Sequence, residues 1–151
     1  MSGLINSAGS KSGVIGTTEL DYEEGVATVT LSAVSGGTLG IDSTYNELGY
    51  TKIGQLVQIQ GYLQIGTYTS SPTSTIRVGA LPFVGANFGT GASRPDFNPI
   101  FIHCRGTGST DLVASGVMTP SVDYLQLELI LAENVQNGTG FYITGTYTTS
   151  S

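Results

Sequence analysis

Charge is scarce in this chain. Asp, Glu, Lys and Arg make up 11% of its 151 residues, against about 25% in an ordinary soluble domain. The five basic residues, Lys11, Lys52, Arg77, Arg94 and Arg105, form no run. That leaves no electrostatic footprint for a nucleic-acid backbone and no polybasic patch for a membrane surface. Cysteine occurs once, as Cys104, so no internal disulfide can staple the fold. Histidine also occurs once, as His103, and one thiol with one imidazole excludes a zinc site of N and S ligands. No apolar run nears the roughly 20 residues that span a bilayer, so membrane insertion is not expected. The opening residues MSGLINSAGSKSGVIG lack the basic start and long apolar stretch of a secretory signal. The expectation is a soluble protein made in a cytoplasm.

What the chain does have is glycine and alternation. Its length fits one domain, and its 22 glycines are about twice the usual share. Hydrophobic residues reach 39% and mean hydropathy is +0.14, which does not describe a disordered chain. Ser, Thr, Asn and Gln supply the polarity that charge usually does. Apolar residues recur at every second position, the pattern of a strand with one buried face. In VATVTLS, Ala27, Val29 and Leu31 share a face. In YTKIGQLVQIQGYLQIG, read as the clearest strand, Val57, Ile59, Leu63 and Ile65 point inward and Gln58, Gln60, Tyr62 and Gln64 outward. Ile76, Val78 and Ala80 form a further inward set, as do Ile100, Ile102 and Cys104, the latter opposed by Phe101, His103 and Arg105. Leu125, Leu127, Leu129 and Leu131, and then Phe141, Ile143 and Tyr147, complete the series. Turn signals separate these runs: SGG at 35–37, TSSPTS at 69–74, GTGASRP at 89–95, GTGST at 106–110, and Asn137-Gly138. Short alternating strands with frequent turns predict an all-β, antiparallel β-sandwich or jelly-roll-like domain over residues 25–151. Residues 1–24 read as a separate segment. Its sparse apolar residues Leu4, Ile5, Val14 and Ile15 are interrupted by glycine and call for a partner surface.

Chemistry is hard to place on this pattern. His103 and Cys104 are consecutive in a strand and point to opposite faces, which opposes a Cys–His pair, and no GxSxG elbow is present. The acids Glu19, Asp21, Glu23 and Glu24 could coordinate a hard cation but lack a calcium-loop spacing, so they read as a solvated boundary. No two of the eleven carboxylates are fixed as a glycosidase pair. Asn137-Gly138-Thr139 reads as a turn before it reads as a glycosylation acceptor. No catalytic residue, cofactor or metal ligand is assigned. Tyr62, Tyr68, Tyr142 and Tyr147, with the glutamines and hydroxyls, would suit either carbohydrate contact or an interface between identical chains.

The phrases SGLINSAGSKSGVIGTTELDYEEG, YTKIGQLVQIQGYLQIG, TIRVGALPF and NGTGFYITGTY resemble a group of small tail-fibre or fibre-like proteins of tailed bacteriophages. The resemblance covers both ends and the middle of the chain. It implies a homotrimer with a β-rich tip, made in the bacterial cytoplasm and carried on the virion. It also implies that residues 1–24, through Leu4, Ile5, Val14 and Ile15, dock onto another phage structural protein. A receptor-binding role at the host surface is the first expectation and a capsid decoration protein the alternative. A polysaccharide depolymerase or a lectin is the rival from another class. Trimer contacts are expected around Gln58, Gln60, Tyr62 and Phe101, where neutral faces can meet without repulsion. Contact with a host surface glycan is expected from the turns at 69–74, 87–99 and 106–111, through Tyr68, Asn87, Arg94 and Asp111.

Overall fold

A computed structural model describes residues 21–69, 75–87, 98–106, 111–131 and 135–150. The described residues form ten strands: β1 (Tyr22–Thr28), β2 (Thr30–Ala33), β3 (Thr38–Ile41), β4 (Glu47–Ile53), β5 (Leu56–Thr69), β6 (Thr75–Gly79), β7 (Asn98–Arg105), β8 (Leu112–Met118), β9 (Leu125–Leu131) and β10 (Gly140–Thr148). Every strand pair is antiparallel, in the path β1-β4-β5-β10-β7-β8-β9-β6-β2, with β3 added to β5. The chain is all-β, as the alternation predicts.

The path nearly closes on itself. Its two ends, β1 and β2, are consecutive in sequence and separated by Val29 alone. Residues 22–28 pair with β4, and residues 30–33 cross over to pair with β6. One alternating run therefore serves both flanks, and its inward set Ala27, Val29 and Leu31 continues through the switch, with Val29 1% exposed. The result is a barrel-like, sandwich-like wrap around a single core. β5 is the hub, because its one edge is shared: β4 pairs with Leu56–Gly61 and β3 with Ile65–Thr69. Between them the loop at 42–46 crosses close above Gly66, held by Asp42 N–H donating to the Gln64 carbonyl at 2.8 Å.

The inward residues of β5, Val57, Ile59, Leu63 and Ile65, are each at most 1% exposed. Ile76, Val78, Ile100, Ile102, Cys104, Leu125, Leu127, Phe141, Ile143 and Tyr147 are buried with them, as alternation requires. Burying such side chains is worth about 1.5–3 kcal/mol each. The side chains of Leu129 and Leu131 lie outside the described residues. Ala80 departs from expectation: β6 ends at Gly79, and Ala80 is exposed in a left-handed conformation, φ 58°. The stretch 50–66 is a hairpin and not one strand. Gly54 turns at φ 58°, so Tyr50–Ile53 belong to β4. β1 begins at Tyr22, three residues ahead of the expected domain boundary at 25. β8 alternates in burial, with Ala114, Gly116 and Met118 inward, but its sequence hides this, since apolar Val113 faces out and Gly116 faces in.

The two ends of the wrap are sealed differently. At one, residues 81–87 act as a plug. Thr149 Oγ1 and Tyr147 OH donate to the carbonyls of Val84 and Phe83 at 2.8 and 3.1 Å, and Ser121 N–H donates to the Gly85 carbonyl at 2.9 Å. Here Lys52, 8% exposed, lies over the Phe83 ring and pairs with Asp21. At the other, the Asn137-Gly138 turn closes as its dipeptide predicts, with Gly138 at φ 82° and Thr139 Oγ1 donating to the Gly106 carbonyl at 3.1 Å.

Candidate functional site

The outward positions of β4, β5, β10, β7 and β8 make one continuous surface, because antiparallel register sets their side chains in rows. The first row runs Tyr62, Tyr142, His103, Val113. The next runs Gly49, Gln60, Thr144, Phe101, Ser115, and the one after it starts Thr51, Gln58, Thr146. Gln58, Gln60, Tyr62 and Phe101, singled out from the sequence, are thus brought onto one face. Phe101 is 52% and Val113 67% exposed.

Aromatic rings close one half of this face. Tyr45 meets Tyr62 edge-on at 5.5 Å between centroids, Tyr62 meets Tyr142 at 4.8 Å, and Tyr142 stacks on His103 at 5.8 Å. The Tyr62 ring lies over Gly140, where a Cβ would stand 2.3 Å from its hydroxyl. Burial pushes the Tyr62 phenol above its usual range, the neighbouring tyrosines add to that, and Arg105 opposes it. The Asp111 carboxylate is 3.8 Å from His103 Nε2. Cys104 points away into the core, where burial and then Asp111 raise its thiol to about 11, so it offers His103 no thiolate partner.

The other half of the face is open. Over Gly49 lies a shallow trough of about 460 Å³, walled by Glu24, Val26, Thr51, Gln58 and Gln60. It combines one carboxylate, two carboxamides, a hydroxyl and an apolar wall above a glycine floor. Beside it the Tyr50 hydroxyl donates to Glu23 at 2.8 Å, which raises the phenol's pKa, with burial adding to the shift. Sequence reasoning missed the trough. Its signal was a glycine in an outward position of ELGYTKI, where alternation asks for a polar side chain.

The residues expected at a host-facing tip do not converge. Asp111 precedes β8, whereas Asn87 donates to Ser121 Oγ at 3.1 Å beyond the far end of the same strand. Tyr68 is half-buried and packs against the core. Arg94 and the N-terminal residues Leu4, Ile5, Val14 and Ile15 lie outside the described residues. Tyr147, grouped above with the tyrosines that could meet a sugar, is 0% exposed and belongs to the core. Among the described residues no group of three or more His, Cys, Asp or Glu is placed to hold a metal ion. The chain matches no protein-family model, no curated protein and no solved structure.

Proposed function

We propose that this chain is a non-enzymatic structural protein of a tailed-phage particle, acting as a short homotrimeric fibre that contacts the host surface. One observation carries the reading: Gln58, Gln60, Tyr62 and Phe101 share an exposed, almost uncharged sheet face. A face of amides, hydroxyls and rings with few ions can be covered by a copy of itself without burying unpaired charge. In this reading residues 1–24 dock on another structural protein of the particle, and a host surface glycan is met by loops at one end of the domain, either the one bearing Asn87 or the one bearing Asp111, and not by Tyr68.

The test has two steps. Light scattering of the purified chain is expected to give three times the 15.6 kDa protomer mass, and a monomer at all concentrations would overturn the assembly. Electron cryomicroscopy of particles carrying the protein is then expected to place its density on tail appendages. Density on the capsid lattice would make it a decoration protein.

A further inference from the structure

The strand glycines fall into two kinds. A Cβ at Gly25, Gly61, Gly66 or Gly140 would stand 2.8, 2.7, 2.8 or 2.3 Å from atoms of the chain's own fold. Backbone atoms hold Gly61 and Gly66 to glycine, and Gly25 and Gly140 lie beneath the rings of Tyr50 and Tyr62. Gly49 is under neither constraint: the nearest atom to its Cβ would be the Gln60 carbonyl oxygen at 3.7 Å, an ordinary contact, and its φ is not positive. Glycine inside a strand weakens it and marks places where another molecule comes close. At Gly49 the missing side chain opens the trough between Val26 and Gln60.

The opposite flank of the same face has the reverse shape. Phe101 on β7 and Val113 on β8 are diagonal neighbours that project into solvent, 52% and 67% exposed. Charge follows the same polarity. The trough side carries Glu24, while β7 carries His103 and Arg105, with Asp111 beside the histidine. A surface with a hole and an acid on one flank, and a knob and bases on the other, is complementary to a second copy of itself, and around a threefold axis that pairing runs head to tail.

We infer that the trough over Gly49 receives Phe101 of a second copy, so that neighbouring chains join by a heterologous contact. The inference rests on the homotrimer reading and gives it a direction. Val113 packs beside the inserted ring, and Glu24 faces the Arg105 side of the neighbour. Where the rotation between copies closes, as a homotrimer requires, such a contact forms a ring in which every trough and every Phe101 is used.

The experiment mixes two variants. Gly49→Trp fills the trough, and Phe101→Ser removes the knob. Circular dichroism checks that both fold. Each alone is expected to be monomeric, with self-association weakened by about a hundredfold, as for the loss of a central aromatic anchor. Mixed in equal amounts they are expected to form a one-to-one heterodimer, because Gly49→Trp keeps its knob and Phe101→Ser keeps its trough. In separate chains, Gly49→Cys and Phe101→Cys are expected to cross-link under mild oxidation. A wild-type trimer that neither variant disturbs would overturn the inference and leave the trimer standing. Host adsorption lost in Gly49→Trp with the trimer intact would assign the trough to a ligand and also overturn it. A wild-type monomer would overturn both.

Discussion

Tyr62 and Gln60 stand two residues apart on the outward face of β5, yet the surface around one is closed and around the other open. Near Tyr62 every glycine is spoken for. Gly140 lies beneath the tyrosine ring and Gly66 beneath the backbone of Asp42, and the rings of Tyr45, Tyr62, Tyr142 and His103 touch in series. Near Gln60, Gly49 lies beneath nothing. A single strand thus builds one region that its own side chains complete and another left for something else to complete. The same residue type, glycine, has opposite meanings in the two.

The comparison is sharpest beneath the closed half, where Cys104 sits between Leu112 and Phe141. Its thiol is raised from 9.0 to about 11. At pH 8 this lowers the thiolate fraction about a hundredfold, and burial adds a barrier to access. The folded chain is therefore expected to resist a thiol-exchange reagent that titrates the urea-unfolded chain within minutes; equal rates in both states would break the picture of a sealed interior. The sign for stability follows. The folded pKa lies above the unfolded one, so the contribution is whole below pH 9 and is lost as pH rises toward about 11. Tyr147, whose phenol is also raised by burial, acts in the same direction at higher pH.

Gly66→Ala is the next largest test. The new Cβ would meet Asp42 backbone atoms at 2.8 and 2.9 Å, and backbone cannot swing aside. A loss of about 2 kcal/mol in urea denaturation is expected. Gly140→Ala should cost less, about 1 kcal/mol, because the clashing atoms belong to the mobile end of Tyr62 and the loss is that of its ring contacts. If Tyr62→Ala relieves the Gly140→Ala penalty in a double-mutant cycle, the closure is by this ring; additivity would show that it is not.

Much of this was legible in the residues. Alternation placed Val57, Ile59, Leu63 and Ile65 inward and Gln58, Gln60 and Tyr62 outward, because a half-buried strand writes its burial directly at a period of two. What failed was punctuation. The turn at Gly54 was hidden because exposed Ile53 falls in step with Val57 and Ile59, although the buried phase flips from Leu48 and Lys52 in β4 to Val57 and Ile59 in β5. β8 was invisible because Gly116 and Ala114 face inward, while Val113 faces out. Gly116 must be small: a Cβ there would stand 2.8 Å from both Ile102 and Leu125. The site was half legible. The outward set could be named from β5 and β7 separately, but the register that joins them through Thr144 is a long-range fact that no local pattern contains.

Gly49→Ala has the smallest expected effect and the most informative sign. At protein concentrations low enough to keep the chain monomeric, nothing in the chain opposes the added methyl, and alanine holds an extended backbone better than glycine. The variant is therefore expected to gain about 0.5 kcal/mol in urea denaturation. A loss of that size or more would mean that the monomer itself uses the space, and the distinction between the closed and open halves would fall. A gain in the dilute monomer that shrinks or reverses at concentrations where copies associate would show the same methyl being tolerated by the chain and resisted by its neighbour. That reversal depends only on what covers Gly49, so it separates internal packing from assembly at a single position.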